Sequence, residues 1–251
     1  MNHRIGDAFA KAKAEGRGAF VAYLTMGYPT LAASEQAADQ AIAGGADILE
    51  LGVPFSDPFA DGGVIRAAAY RALEQGVTLD DVIALAKRLR LKHPAVPLVL
   101  FSYYNPIFAK GLDEFALAVS DAGIDAVLTV DLPLEERSEL LTALKSRGVT
   151  MVPLIAPNTP LDRVRASEEG LGDSFLYAIT VKGTTGARAE LPDDLMARLD
   201  ELRRVARLPV AAGFGISTRA QASAVSRHAD GFVVGSALVK RVSEGRAPCL
   251  D

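Results

Sequence analysis

The feature that most constrains this chain is a repeated unit, an apolar strand-like run followed by a helical stretch. Eight such runs occupy residues 19–25, 47–52, 97–103, 125–131, 150–155, 174–180, 208–213 and 231–236. Apolar strands separated by helices indicate a parallel sheet that helices cover. Eight units in 251 residues predict an α/β fold, a single (β/α)8 TIM barrel spanning residues 1–251, with an extra N-terminal helix.

The main structural alternative is an open, doubly wound sheet. Such sheets usually carry a glycine-rich fingerprint after the first strand, but TMGYP follows it here. Helical spacing between the runs is clearest at residues 79–92 and 133–148, and Pro133 is predicted to occupy the first turn of the second helix. Pro153 conflicts with a closed barrel, which has no edge strand, so we expect it near the end of its strand.

Composition excludes several classes of protein. The formal charge of −4 and the absence of a basic run with interleaved aromatics argue against nucleic-acid binding. The single cysteine, Cys249, allows neither an internal disulfide nor a cysteine metal cluster. No signal-peptide core or membrane-length apolar run is present, so we expect a soluble cytoplasmic protein.

Two glycine-containing segments near the end of the chain predict an anion site. They are AGFGIS, residues 212–217, and VGSALV, residues 234–239, and they follow the seventh and eighth runs. In TIM barrels phosphate often binds at these two loops, through backbone amides and a helix N-terminus. Glycines there also suit ordinary tight turns, and that simpler interpretation stays open for each segment alone.

Glu50 is an acidic residue inside an apolar strand. In ADILELG, alternation places Leu49 and Leu51 on the helix-packed outer face, so Glu50 points into the barrel. Burial there should raise the pKa of the carboxyl group, which suits a general acid/base near neutral pH. The alternative is a structural carboxylate paired with an inward lysine or arginine.

Other polar residues give weaker signals. Asp57 and Asp61 lie in the loop after this strand, where each could equally be a turn or capping residue. Tyr177 suits either core packing or a site, and the polar segment 180–194 suits either a mobile lid or a plain loop. The histidines fall outside every predicted strand end, which argues against a histidine triad or metal site: His3, His93 and His228.

The segment ELGVPFSDPFADG, residues 50–62, resembles the signature of the tryptophan synthase alpha-subunit family. The resemblance covers nearly the whole chain, because other motifs follow in family order: FVAYLTMGYP, FSYYNPIFAKG, VDLP, APNTP, GTTGAR, GFGIS and VGSALVK. It implies a carbon–carbon lyase of tryptophan biosynthesis. The implied reaction is retro-aldol cleavage of indole-3-glycerol phosphate to indole and glyceraldehyde 3-phosphate, with no cofactor or metal in this chain.

The resemblance also implies site residues. Glu50 would be the general acid/base, and Asp61 the carboxylate that binds the indole N–H and stabilises positive charge on the ring. The implied substrate contacts are Tyr23, Phe101, Leu128, Tyr177 and the lid residue Thr185. The implied phosphate-binding residues are Gly186, Phe214, Gly215, Gly235 and Ser236.

The family works with a beta subunit that carries pyridoxal phosphate, in an alpha2beta2 heterotetramer. The residues implied at that contact are Pro54, Phe55, Asp57 and Phe108. The chain departs from the family at two places. Gly63 stands where many members have proline, and Val181 stands where many have arginine, which bears on lid closure.

Three other functions are weighed against this one. The first is a stand-alone indole-glycerol-phosphate lyase. The second is a Schiff-base phosphosugar aldolase with Lys182 as nucleophile, although strand alternation places Lys182 on the outward face. The third is a barrel kept only to activate a partner, which would need neither Glu50 nor Asp61.

Overall fold

The computed structural model describes residues 3–179, 194–213 and 215–250. Its nine strand segments, all parallel, form one sheet in the order β5-β4-β3-β2-β1-β9-β8-β7-β6. The strands are β1 (Ala19–Thr25), β2 (Ile48–Gly52), β3 (Leu98–Ser102), β4 (Ala126–Thr129), β5 (Thr150–Met151), β6 (Leu154–Ile155), β7 (Leu176–Ile179), β8 (Val210–Gly213) and β9 (Gly231–Val234).

Helices alternate with these strands along the described chain. They are α1 (Arg4–Ala14), α2 (Leu31–Ala43), α3 (Gly63–Glu74), α4 (Leu79–Lys92), α5 (Tyr104–Lys110), α6 (Leu112–Asp121), α7 (Ser138–Lys145), α8 (Leu161–Ser167), α9 (Leu195–Val205), α10 (Arg219–Val225) and α11 (Ser236–Ser243). The alternation confirms the predicted barrel and its extra N-terminal helix.

The fifth predicted strand, residues 150–155, is split into β5 and β6. The Val152 N–H donates to the Val127 carbonyl at 2.9 Å, which extends the pairing of β5 with β4. The Pro153 carbonyl accepts from the Tyr177 N–H at 3.0 Å, which extends the pairing of β6 with β7. Pro153 therefore lies in the middle of the run, not near its end as predicted. The partner strand changes from β4 to β7 at Pro153, which has no N–H group that could be left unpaired. This one run therefore joins the two edges of the sheet and closes the barrel.

Two apolar clusters divide the interior. One lies between the barrel and its surrounding helices, and the other fills the barrel itself. Alternate strand residues belong to different clusters, as strand geometry requires. The strand residues of the inner cluster are Ala19, Val21, Tyr23, Ile48, Val99, Phe101, Ala126, Leu128, Tyr177, Ala211 and Val233.

The N-terminal helix α1 packs against the amino-terminal end of the barrel. Its Phe9 ring lies 5.5 Å, centroid to centroid, from the Phe175 ring just before β7. The Asp173 carboxylate accepts hydrogen bonds from the Ile5 and Gly6 N–H groups at 2.9 and 2.8 Å. A carboxylate from another part of the chain thus satisfies amide donors at the start of α1, which the helix cannot satisfy itself.

The two helices singled out from sequence differ in outcome. The first is α4, which spans the predicted residues 79–92 and begins with a capping box between Thr78 and Asp81. The second, predicted over 133–148, is only α7 (Ser138–Lys145), so Pro133 does not begin it. Residues 134–137 form turns, and the guanidinium of the buried Arg137 donates to main-chain carbonyls at the end of α8 and just beyond.

Candidate active site

The carboxyl ends of the parallel strands meet at one end of the barrel, where TIM barrels place their active sites. Glu50 lies in β2, next to Tyr23 of β1 and Val99 of β3 in the strand register. Asp61 follows in the loop between β2 and α3. The fold therefore brings both predicted acids to the expected end.

Glu50 points into the barrel as alternation predicted. Its neighbour Ile48 belongs to the inner cluster, whereas Leu49 and Leu51 belong to the outer one. The Glu50 side chain is fully buried, and neither carboxyl oxygen has a hydrogen-bond partner among the described residues. This carboxyl group lies among apolar and aromatic neighbours.

Burial raises the pKa of Glu50 from its ordinary value of 4.5 to about 8. Removal from water is the single cause, since no cation or hydrogen-bond donor in the described part of the chain opposes it. The alternative of a structural ion pair finds no support there. At neutral pH Glu50 is mainly protonated, so it can give up a proton.

This burial predicts a specific pH dependence of stability. Between about pH 4.5 and about pH 8 the folded protein keeps a proton on Glu50 that the unfolded chain releases. The free energy of unfolding therefore falls as pH rises through this window, by up to about 1.4 kcal/mol per pH unit. Glu50→Gln removes this titration, so its stability relative to wild type should increase from pH 5 to pH 8 in urea unfolding. Parallel pH dependences for the two proteins would contradict a raised pKa.

Asp61 is also buried, with 6% of its surface exposed, but it has a partner. The Tyr103 hydroxyl donates to its Oδ2 at 3.0 Å. Burial raises the pKa of Asp61 to about 6, while the Tyr103 hydrogen bond and the charge of Arg66 act in the opposite direction. Helix α3 begins after Gly62, and no side-chain cap hydrogen bond is found there. The N-cap residue of this helix is thus Gly62 and not Asp61.

Two buried tyrosines accompany the two acids. Burial, together with the charges of Glu50 and Asp61, raises the pKa of both Tyr23 and Tyr177. Each ring lies over a glycine of the neighbouring strand, because a Cβ on Gly52 would come within 2.3 Å of the Tyr23 hydroxyl. A Cβ on Gly213 would come within 2.3 Å of the Tyr177 ring. These glycines make room for the aromatic side chains.

The predicted indole-contact residues line the barrel interior together. Tyr23 and Phe101 form an edge-to-face pair with centroids 5.0 Å apart. Phe101 is paired in register with Leu128 on the next strand, and both are buried. Together with Tyr177, these side chains form an apolar and aromatic wall on the interior side of the sheet.

The predicted phosphate loops are adjacent because β8 pairs with β9. Gly215, after β8, has φ of +90°, a conformation that favours glycine. Gly235 follows β9 and would place a Cβ in ordinary contact, 3.4 Å from the Tyr23 ring. Ser236 begins α11, whose first amides have no acceptor within the helix. Three of the five predicted phosphate residues therefore lie at the catalytic end.

Several predicted residues lie outside the described part of the chain. They are Val181, Lys182, Thr185, Gly186 and Phe214. The predicted lid, residues 180–194, also lies outside it except for Asp194. Their predicted roles in substrate contact, phosphate binding and lid closure stay predictions.

A family model described as tryptophan synthase alpha chain matches residues 9–248. The chain belongs to the tryptophan synthase alpha chain family. The tryptophan synthase alpha chain of Citrifermentans bemidjiense is 48% identical over 237 residues, covering 94% of this chain and 88% of that relative. The alpha chain of Opitutus terrae is 43% identical over 241 residues, covering 96% and 90%.

Solved structures agree with this family assignment. Tryptophan synthase of Mycobacterium tuberculosis has a TM-score of 0.89 and 34% identity, covering 97% of this chain and 93% of that chain. A protein from Aquifex aeolicus has a TM-score of 0.89 and 38% identity, covering 97% and 92%. A match of this extent does not favour the Schiff-base aldolase, and Lys182 lies outside the described residues.

The residues that the family resemblance implies at the beta-subunit contact differ in exposure. Phe108, on α5, is 62% exposed, and Asp57 is exposed in the loop after β2. Phe55 is half-buried and stacks on Tyr103, and Pro54 is buried. Phe59, the second phenylalanine of the same loop, is 68% exposed.

Two residues near Asp61 were missed from sequence. Tyr103 directly follows β3 at the catalytic end, and that position was the one available signal. Arg66 lies in the first turn of α3 and contributes the positive charge that Asp61 senses. Among the described residues, no three histidine, cysteine or acidic side chains could hold a metal ion, and no described helix is long and apolar enough to cross a membrane.

Proposed function

We propose that Glu50 and Asp61 carry out the reaction of this chain, the retro-aldol cleavage of indole-3-glycerol phosphate. The observation that carries this proposal is the buried carboxyl group of Glu50, which has no partner among the described residues and a pKa of about 8. A fold does not keep such a group for stability, because an unpaired buried acid is destabilising. Perturbed carboxyl groups of this kind are typical of catalytic sites.

The family assignment fixes the wider role. The protein is the alpha subunit of tryptophan synthase, a carbon–carbon lyase of tryptophan biosynthesis, and its partner is the beta subunit. We propose in addition that residues 1–251 act as one catalytic domain in the cytoplasm. No cofactor is needed in this chain, and pyridoxal phosphate belongs to the beta subunit of an alpha2beta2 complex.

Glu50 supplies the proton transfers. Its protonated carboxyl group donates to C3 of the indole ring, which becomes a positively charged indolenine. The carboxylate then accepts the proton of the hydroxyl group on the adjacent glycerol carbon. The carbon–carbon bond breaks, its electron pair returns to the ring, and the glycerol carbon becomes an aldehyde. One proton is given and one is taken, so Glu50 returns to its initial state.

Asp61 stabilises the charge that develops on the ring. Its pKa of about 6 leaves it mainly ionised at neutral pH, unlike Glu50. An ionised carboxylate accepts the indole N–H hydrogen bond more strongly once the ring is cationic, so it favours the intermediate over the substrate. The two acids thus have different protonation states because their surroundings differ.

Binding is assigned to the remaining residues. Tyr23, Phe101, Leu128 and Tyr177 offer an apolar, aromatic surface for the indole ring. The amides around Gly215, Gly235 and Ser236, with Gly186 and Phe214, are proposed to hold the phosphate. Thr185 is proposed to contact Asp61 when the segment 182–194 closes.

The experiment is an assay of indole release from indole-3-glycerol phosphate by the purified chain, with and without a beta subunit. We expect a bell-shaped pH profile of kcat/KM, with limbs near pH 6 from Asp61 and near pH 8 from Glu50. The beta subunit should raise turnover. No indole release under either condition contradicts the proposal, and equal rates in both point to a stand-alone lyase.

A further inference from the structure

We propose that Tyr103 is a positioning residue for Asp61, holding its carboxylate in place through a hydroxyl group that is fixed from both sides. The inference rests on the proposed role of Asp61 and adds a residue to it. The proposed role of Tyr103 is exerted through Asp61. Tyr103 acts by fixing the direction and the ionisation of that carboxylate.

The hydroxyl of Tyr103 has two partners in the same loop. It donates to Asp61 Oδ2 at 3.0 Å, and it accepts a hydrogen bond from the Ala60 N–H at 3.0 Å. Because a phenol has one proton, the accepted amide bond leaves that proton directed at the carboxylate. A hydrogen bond donated to a carboxylate favours its ionised form.

The ring of Tyr103 is held as firmly as its hydroxyl. The side chain is 2% exposed, and its ring stacks on Phe55 with centroids 4.8 Å apart. The ring of Phe59, which comes later in the same loop, packs edge-on against the Tyr103 ring with centroids 5.4 Å apart. The loop after β2 is thereby attached to the end of β3.

The backbone on either side of Tyr103 is also anchored. The Ser102 hydroxyl donates to the Tyr103 carbonyl at 2.8 Å, and the Tyr104 N–H donates to Asp131 Oδ1 at 2.7 Å. The phenol therefore projects from a fixed point of the barrel. Asp61, in contrast, is in a loop and depends on such outside contacts for a defined position.

Other charged and titratable groups act on Asp61 from the neighbouring elements. Arg66 on α3 favours the ionised form. Tyr23 on β1 and Tyr177 on β7 sense its charge. Of these groups, Tyr103 is the one with a hydrogen bond to the carboxylate. Its hydroxyl is therefore the group whose removal should most directly change the titration of Asp61.

The main test is Tyr103→Phe, which keeps the ring and removes the hydroxyl. The titration of Asp61 is followed by NMR of the free protein with 13C-labelled aspartate carboxyl groups, assigned by the signal missing in Asp61→Asn. We expect the pKa of Asp61 to rise by about one unit. Tyr104→Phe is the matched control, since it removes a neighbouring hydroxyl without a hydrogen bond to Asp61, and it should leave the midpoint unchanged.

A kinetic readout separates positioning from general loosening. If Tyr103 keeps Asp61 ionised, kcat/KM of Tyr103→Phe falls several-fold more at pH 6 than at pH 8, because the acid limb moves up. An equal loss at both pH values, with an unchanged NMR midpoint, overturns the inference. The NMR titration needs no substrate, so its result stands apart from failure of the proposed lyase reaction.

A second variant covers the case in which Tyr103→Phe does not fold. Replacing Tyr103 with 3-fluorotyrosine keeps both hydrogen bonds and makes the phenol a stronger donor. Burial and the charge of Asp61 raise the pKa of the Tyr103 phenol, so the fluorinated ring stays protonated during the titration. The pKa of Asp61 should then move down. A shift upwards, or none, contradicts the inference.

Discussion

Glu50→Gln is expected to lower kcat/KM for indole release by about 10²–10⁴-fold. Glutamine has the size of protonated glutamic acid, which is the main form of Glu50 at neutral pH, so folding should be preserved. It cannot donate an acidic proton to the ring or accept one from the hydroxyl group. The measurement is single-turnover indole release at pH 7, alongside direct binding of indole-3-glycerol phosphate to the variant, which should be retained.

Glu168→Gln offers a matched control for this prediction. Glu168 is also a buried glutamate, 7% exposed, with one carboxyl oxygen lacking a partner in the described part of the chain. It accepts hydrogen bonds from the Arg207 and Leu208 N–H groups, before β8 and thus at the amino-terminal end of the barrel. Its replacement should leave indole release near the wild-type rate. A near-wild-type rate for Glu50→Gln would remove Glu50 from the mechanism.

Asp61→Asn is expected to lower kcat by about 10²–10³-fold, comparable with the loss of one electrostatic stabiliser in other active sites. The asparagine carbonyl can still accept the hydrogen bond from Tyr103 and one from the indole N–H. The variant therefore isolates the negative charge, which is needed only when the ring becomes cationic. Because the charge acts on the intermediate, KM should change much less than kcat.

The comparison is made from about pH 5 to about pH 9. The substrate phosphate also titrates near pH 6, so both groups contribute to the acid limb of the wild-type profile. The part of that limb that disappears in Asp61→Asn is the part due to Asp61. Asp113→Asn, an exposed acid in the first turn of α6, serves as a surface control and should behave like wild type. A mild effect of Asp61→Asn on kcat would mean that its charge plays little part in the reaction.

Local periodicity explains what sequence could predict. Alternation along β2 requires only neighbouring residues, so Glu50 was placed inside the barrel correctly. The direction of a loop side chain has no such rule. The Asp61 carboxylate is oriented by a hydrogen bond from Tyr103, which lies 42 residues away in the sequence. Sequence alone therefore does not decide between a turn role and a site role for Asp61.

Two predictions about the fold, for the helix near Pro133 and for the position of Pro153, were wrong for a similar reason. Helix α7 begins at Ser138 and not near Pro133, and the side chain of Arg137, just before it, is bonded to a carbonyl 30 residues away. The prediction for Pro153 assumes one continuous strand, whereas the run is divided between two neighbouring strands where the barrel closes. Both places involve contacts distant in sequence, which local patterns do not reveal.

The helix α1 covers the amino-terminal end of the barrel. Its Ile5, Phe9 and Ala12 belong to the apolar filling of the barrel, so they form a floor beneath Glu50. We therefore expect a substrate to reach Glu50 from the opposite end of the barrel. If Glu50 gives its proton to a substrate bound there, as proposed, we expect the proton of the substrate hydroxyl to replace it most readily, which would link the recovery of Glu50 to bond cleavage.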